Sequence, residues 1–234
     1  MQTIGLIGGI TPQSTIMYYQ VLNELASKEV GVEHTCKVII NSLDFGVISN
    51  LQSENRWDLL DIIMEDAALS LERAGASSIV ICANTMHLSV DAIKKKVNIP
   101  VIHIAEATAK KILDKGIKKV ALLGTKYTME KPFFKDVLEA FDIEVIIPEL
   151  DDRNIIHNVI YDELSKGELL TSSKNAYLAI IDKLIAKGVE GIILGCTEIP
   201  LLIEQSDVKI PVFDTTTIHA NEAFYLAKNL LLVK

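Results

Sequence analysis

The sequence has few cysteines, no long apolar run and no excess of positive charge. Its three cysteines cannot all pair with one another, and so small a number is typical of proteins in the reducing cytoplasm. No apolar run approaches the ~20 residues that cross a bilayer, and the N-terminus leads directly into a predicted strand rather than a signal peptide. We therefore expect a cytoplasmic protein that has no membrane partner.

The charge balance and several missing motifs exclude other function classes. Lysine and arginine number 23 against 31 aspartate and glutamate residues, for a net charge of −8, which argues against a nucleic-acid partner. Neither a His-x-x-x-His nor a Cys-x-x-Cys spacing occurs, so a metal site is not expected. Gly8-Gly9 lacks the third glycine of a dinucleotide fingerprint, and there is no phosphate-binding loop that ends in Gly-Lys.

Short apolar runs alternate with amphipathic segments along the whole chain. Runs such as Ile4–Ile7 and Ile192–Leu194 are short, rich in branched residues and followed by glycine, which predicts buried strands. Thr11 is a predicted N-cap, with Pro12 opening a helix. Strands that alternate with helices predict an α/β protein with mostly parallel sheets and helices on both faces. The last helix is predicted over residues 216–232.

Three pairs of segments recur in the same order at nearly one spacing. Ala83-Asn84-Thr85 matches Cys196-Thr197-Glu198 at an offset of 113, since both triplets follow an apolar strand. The segments ending at Gly8 and Gly124 are 116 residues apart, and two Ile-Pro-Val segments are 111 apart. The pattern predicts a duplicated α/β unit of about half the chain length.

These ordered motifs resemble those of the aspartate/glutamate racemase family. The similarity covers nearly all of the chain and is strongest to the L-aspartate/glutamate-specific branch. It rests on four segments: Gly9-Ile10-Thr11, Ser42-Leu43-Asp44-Phe45, Asn84-Thr85-Met86-His87 and Gly195-Cys196-Thr197-Glu198-Ile199. The resemblance implies an enzyme that uses no pyridoxal phosphate or other cofactor, in which two facing groups, usually cysteines, exchange the α-proton of an amino acid.

The resemblance also implies a domain arrangement. It predicts two similar three-layer α/β domains related by pseudo-two-fold symmetry, one made of residues 1–102 and 212–234 and the other of residues 103–211. Ala83 and Cys196 are then expected on opposite walls of one cleft. The resemblance further implies a homodimer that takes a small amino acid, aspartate or glutamate.

Cys196 is the strongest candidate for a catalytic group. It follows a buried strand, and ligands of open α/β sheets bind beyond the C-terminal ends of strands. A thiol works as a general base when its pKa is near the working pH, and we expect the following helix N-terminus to stabilise a thiolate. Thr197 and Glu198 are placed at the ligand by the resemblance, although Glu198 also suits the first turn of a helix.

Other candidate binding residues come from the repeat and from the resemblance. Asn84 and Thr85 match by both, with ordinary capping as the alternative. Ile10 contributes only a backbone N–H or an apolar contact, and Thr125 occupies the loop equivalent to Gly8-Gly9. Two further candidates have surface alternatives: Gln52, in a polar stretch (residues 49–55) interpreted as an irregular lid, and Lys166, a carboxylate ligand or a helix C-terminal lysine.

Ala83 departs from the family pattern at the position of the first base. A methyl group neither takes nor gives a proton, and neighbouring Cys82 should point to the other face of its strand. The L-specific branch has threonine at this position rather than cysteine. The sequence leaves open whether alanine is natural or a substitution that traps ligand. It also leaves open a one-cysteine decarboxylase or isomerase of small diacids, or an amino-acid-binding protein without catalysis.

Overall fold

The computed structural model describes residues 1–229, and the chain divides into two compact units. The first unit contains residues 1–103 and the chain from His219 onward, and the second contains residues 104–218. Each unit has a four-stranded sheet in which the paired strands are parallel.

The first unit places its sheet between two layers of helices. The strands run in the order β2-β1-β3-β4. One face packs against α3 and the other against α1 and α10, because successive residues of a strand point to opposite faces. The elements are β1 (Ile4–Gly8), α1 (Pro12–Glu29), β2 (Val38–Ser42), α2 (Phe45–Ser53), α3 (Trp57–Arg73), β3 (Ser78–Ile81), α4 (Val90–Lys94), β4 (Val101–Ile102) and α10 (Thr215–Asn229), which starts in the second unit.

The second unit repeats this plan. Its strands run in the order β6-β5-β7-β8. One face packs against α8 and α9, and the other against α5 and α7. The elements are α5 (Ile104–Leu113), β5 (Lys119–Gly124), α6 (Lys126–Glu130), α7 (Pro132–Glu139), β6 (Glu144–Ile146), α8 (Leu150–Asp162), α9 (Thr171–Ala186), β7 (Gly191–Gly195) and β8 (Val212–Asp214).

The equal strand order explains the sequence repeat. β1 corresponds to β5 and β3 to β7, and each pair carries matched segments at the carboxyl ends of its strands. The prediction of two similar three-layer α/β units with parallel sheets is confirmed. Thr11 caps α1, since its side chain accepts a hydrogen bond from the Ser14 N–H and Pro12 opens the helix.

The structure differs from the sequence analysis in the bounds of the two units and in one additional helix. Residues 212–218 lie in the second unit rather than the first, because β8 pairs with β7. The short helix α6 was not predicted. The predicted last helix reaches Asn229, and its proposed extension to 232 lies outside the described residues. Across residues 1–229, none of the helices is both long and apolar enough to cross a membrane.

Candidate functional site

In the first unit, the loops that follow three neighbouring parallel strands lie at the same edge of the sheet. Gly8 of β1 is in register with Ser42 of β2, and the Cys82 N–H donates to the Ile7 carbonyl at 2.9 Å. The residues that follow these strands therefore lie side by side. Gly9 has φ +82°, and a Cβ there would come within 2.1 Å of the Leu43 carbonyl oxygen. Only glycine fits, so the backbone itself lines this end of the sheet.

Most of the predicted residues of the first unit gather around one apolar cluster. Ile10, Ala83 and Met86 are buried in the same cluster. Gln52 is also buried, and its Nε2 donates to Met86 Sδ at 3.2 Å. Gln52 lies on α2, so the expectation of an irregular backbone is wrong for residues 49–53, and a lid role for this segment stays a prediction. The polar residues of this stretch made the helix hard to recognise from the sequence. Its buried face carries Ile48 and Gln52.

Asn84 and Thr85 follow directly on Ala83. Asn84 is buried, and Thr85 is half-buried at the start of a 3-10 turn, Thr85–Ser89. The turn therefore starts two residues after position 83. The structure thus collects Ile10, Gln52, Ala83, Asn84 and Thr85 at one end of the first sheet.

Cys82 is held apart from this group. Its side chain is fully buried in the cluster on the other face of the sheet, with Tyr18, Leu22 and Phe224, and burial raises the pKa of its thiol. Alternation along β3 explains the separation, since residues 79, 81 and 83 contact one cluster and residues 80 and 82 the other.

Replacing Cys82 with serine is expected to lower the free energy of unfolding by about 1–3 kcal/mol, because the buried hydroxyl would need a partner in an apolar cluster. Urea denaturation measures the change. Cys82→Ala is the matched control and should cost less, since it leaves a small cavity but no polar group. Loss of ligand affinity in a Cys82→Ser protein that remains folded would contradict this placement of the sulfur.

Three histidines of the first unit form a buried cluster beside position 83. His87 Nδ1–H donates to the Ala83 carbonyl at 2.9 Å, and its ring lies 5.0 Å from His103 and 5.4 Å from His219. His219 Nε2–H donates to the Ile102 carbonyl, so its Nδ1 accepts from the Tyr18 hydroxyl, both at 2.8 Å. These two contacts suit a neutral His219 ring.

Stability is expected to fall in acid because of this cluster. Burial lowers the pKa of His219 from its ordinary 6.5 to about 4, and it lowers the pKa of His87 well below 6.5. Below pH ~6.5 the unfolded chain binds protons that the folded chain does not. His219 alone should therefore lower the free energy of unfolding by about 2 kcal/mol between pH 7 and pH 5, and further towards pH 4.

Urea denaturation of His219→Gln tests this expectation, because the variant should show a flatter dependence on pH than the parent. His34→Gln, at an exposed position, is the control and should keep the parental slope. A His219→Gln protein with unchanged pH dependence would assign the effect to other groups.

In the second unit, Cys196 lies where the sequence analysis expected it, just beyond a buried strand. Gly124 of β5 is in register with Gly195 of β7, so Thr125 and Cys196 leave neighbouring strands side by side. Thr125 is buried and caps α6, with Oγ1 accepting from the Thr128 N–H at 3.3 Å.

Cys196 and Thr197 both bond to one carboxylate oxygen. The Cys196 thiol donates to Glu198 Oε2 at 2.9 Å, and the Thr197 hydroxyl donates to the same atom at 2.7 Å. All three residues are buried, with exposures of 5 to 8%. The three predicted residues therefore form one hydrogen-bonded group.

The expectation of a stabilised thiolate is not met in this state. Burial, followed by the negative charge of Glu198, raises the pKa of Cys196 well above its ordinary value. The predicted helix after it is only a 3-10 turn, Ile199–Leu201, and the nearby backbone N–H groups do not outweigh burial. Cys196 is therefore a protonated thiol whose proton is directed at the Glu198 side chain.

Tyr161, which lies near Cys196, and its neighbour His157 were not singled out from the sequence. Burial raises the pKa of Tyr161 to about 12, with smaller contributions from Tyr127, Cys196 and Glu198. Its ring lies 4.6 Å from that of His157. His157 and Tyr161 are four residues apart on α8, and this spacing predicts that their side chains are neighbours on one helix face. It does not predict which other element that face packs against.

Among the predicted residues of the second unit, Lys166 is not brought close to Cys196, Thr197 and Glu198. It is exposed at the end of the 3-10 turn Leu164–Lys166. Its side chain makes no hydrogen bond or ion pair within residues 1–229. Over the same residues, no three His, Cys, Asp or Glu side chains are arranged to hold a metal ion.

Comparison with known proteins assigns this arrangement to a class. The family profile described as Asp/Glu/Hydantoin racemase matches residues 7–223. The two units with parallel sheets are thus those of a racemase-type α/β protein. The chain belongs to the Asp/Glu/Hydantoin racemase family.

Individual relatives agree with this assignment. The broad-specificity amino-acid racemase RacX of Bacillus subtilis is 23% identical over 216 residues, which is 91% of this chain and 92% of RacX. A candidate Asp/Glu racemase from Yersinia pestis has a crystal structure with TM-score 0.92 and 45% identity, covering 97% of this chain and all of that one. An aspartate racemase homologue from Pyrococcus horikoshii gives TM-score 0.87 and 38% identity, with the same two coverages.

Proposed function

We propose that the protein is a cofactor-independent racemase that interconverts the L and D forms of aspartate, glutamate or both, with its first base replaced by Ala83. Family membership supports racemisation of an amino acid. The observation that carries the proposal is the Cys196 thiol, which is buried at the end of β7 and bonded to the Glu198 carboxylate.

The first step moves two protons. Glu198 Oε2 takes the proton of the Cys196 thiol, across the existing 2.9 Å hydrogen bond. The resulting thiolate then removes the α-hydrogen of the substrate as a proton, and the C–H electron pair passes into the α-carboxylate to give an enediolate-like anion. Backbone N–H groups at the strand ends stabilise the added negative charge. The raised pKa of Cys196 makes the thiolate a strong base once it forms.

The second step returns a proton to the opposite face of the α-carbon. The family resemblance assigns this role to position 83, where the methyl group of alanine has no proton to give. A water molecule is then the donor, and inversion is slow. Return of a proton from Cys196 itself restores the starting enantiomer, so exchange should be faster than inversion.

The remaining candidate residues are proposed as substrate ligands. In the first unit these are Ile10, Gln52, Asn84 and Thr85, and in the second unit Thr125, Lys166, Thr197 and Glu198. The proposal includes a cytoplasmic homodimer, supported by the family resemblance and by the low cysteine count. Light scattering coupled to size exclusion measures the oligomeric state.

Ala83 favours a second candidate function. A protein with one catalytic cysteine performs one-sided chemistry, such as decarboxylation or isomerisation of a small diacid, in which an intermediate is protonated from a single face. Loss of catalysis with retained amino-acid binding is the limiting case. Each outcome leaves a different signature at the α-carbon.

Incubation with L-aspartate and with L-glutamate in deuterated water separates these functions. Proton NMR follows loss of the α-hydrogen signal, and circular dichroism follows inversion. Exchange together with inversion supports the racemase, whereas exchange with retained configuration identifies a one-base remnant. Binding without exchange would contradict the proposal.

A further inference from the structure

A cavity of about 240 Å³ lies in the second unit, next to the carboxyl end of β5. It is lined by Lys126, Tyr127, Glu130, Lys131 and His157. These side chains come from α6, from the residue after it and from α8, so the cavity exists only because α8 packs beside α6. Nothing in the mechanism above uses it.

The lining of this cavity has an excess of positive charge. The one carboxylate in it, Glu130, already pairs with Arg153, whose Nε lies 2.9 Å from Glu130 Oε1. Lys126 and Lys131 make no ion pair within residues 1–229. The cavity therefore offers two ammonium groups to a ligand.

His157 adds a neutral donor. Its Nδ1 accepts the Lys126 backbone N–H at 3.3 Å, which leaves the ring proton on Nε2. Burial, followed by the charge of Lys126, lowers the pKa of His157 and keeps this neutral form. A ring N–H and two ammonium groups are donors that suit an anion with several acceptor oxygens, such as a carboxylate.

The cavity adjoins the group around Cys196. Gly124 and Gly195 are in register, and neighbouring strands lie ~4.8 Å apart. Lys126 is two residues after Gly124, and Cys196 is one residue after Gly195, so the two residues leave neighbouring strands at the same edge of the sheet. Tyr161 connects the two places. Its ring centre lies 4.6 Å from that of His157, and Cys196 and Glu198 are close enough to its phenol to add to the effect of burial, which raises its pKa. A substrate whose α-carbon lies at Cys196 can extend a short side chain towards the cavity.

We propose that this cavity is the subsite for the side-chain carboxylate of the substrate, held by Lys126 with Lys131 as a second cation. The inference rests on the proposed function and deepens it, because it makes Lys126 the residue that selects acidic over neutral amino acids. Lys166, the carboxylate ligand expected from the family resemblance, is then not needed for this selection.

Calorimetric titration of the full-length protein tests this selection. The ligands are L-aspartate and L-glutamate, with L-asparagine and L-glutamine as neutral analogues of the same shape. The parent should bind the acids at least roughly 10-fold more tightly than the amides, as for a charge-assisted hydrogen bond. Lys126→Gln should remove this preference by weakening the acids alone. Lys209→Gln, which makes the same charge change at an exposed position of the second unit, should leave all four affinities unchanged.

Four outcomes are informative. Loss of acid binding in Lys126→Gln, with the amides unaffected, supports the subsite. A preference for acids that survives in both Lys126→Gln and the Lys126→Gln/Lys131→Gln double variant overturns it, as does equal binding of acids and amides by the parent. If acids bind in a Lys126-dependent manner while no amino acid exchanges its α-hydrogen in deuterated water, the subsite stands and the proposed racemase fails.

Discussion

Replacing Ala83 with cysteine is expected to raise the rate of inversion of L-aspartate or L-glutamate at least ~100-fold, the lower end of what one acid–base group contributes. The reason is that position 83 lacks only a side chain that can carry a proton. His87 holds the Ala83 carbonyl at 2.9 Å, so the local backbone is anchored and should present the new thiol where the methyl group now lies. Circular dichroism, started from each enantiomer, measures the rate.

Threonine and valine at position 83 form a matched pair. The two side chains have nearly the same shape, but only threonine has a hydroxyl proton. Ala83→Thr should restore the arrangement of the L-specific branch and favour L-substrates, whereas Ala83→Val should not gain inversion. If Ala83→Cys folds, binds an acidic amino acid and still does not invert it, the missing base is not the defect, and one-sided chemistry becomes the better account.

Replacing Cys196 with alanine is expected to lower exchange of the substrate α-hydrogen by ~100-fold to 10,000-fold. This thiol is the base of the proposed first step, and the methyl group of alanine cannot remove a proton. Proton NMR in deuterated water measures exchange directly, even where inversion is too slow to follow.

The control removes a different buried thiol. Cys36 is buried in the first unit, where burial raises its pKa to about 11, and it packs in the cluster on the opposite face of the sheet from Ala83. Cys36→Ala should therefore keep the parental exchange rate. Exchange that persists in folded Cys196→Ala would assign the base to another group and would contradict the mechanism.

The sequence by itself determined the architecture and the location of the thiol. Each strand is a short apolar run that ends at a small or polar residue, and this pattern depends on neighbouring residues along the chain. The repeat between residues 83–85 and 196–198 followed from the same local pattern. Alternation along β3 was sufficient to separate Cys82 from Ala83, because it is a property of any strand.

Tertiary packing decided the chemical state of these groups. The thiol of Cys196 was expected to ionise easily, but burial and Glu198 hold its proton, and neither effect can be derived from a run of sequence letters. Gln52 was assigned to a lid because residues 49–55 are mostly polar. Its burial against Met86 depends on a turn that is distant in the sequence.

The cavity between α6 and α8 and the histidine cluster of the first unit both depend on contacts between distant segments. His157 and Lys126 are 31 residues apart, and Tyr18 and His219 are 201 residues apart. Strand and helix periodicities report which face of an element is apolar, but not which distant side chain that face will meet. The fold was therefore readable from local order, while pKa values, charge pairing and the proposed carboxylate subsite depend on contacts between distant segments.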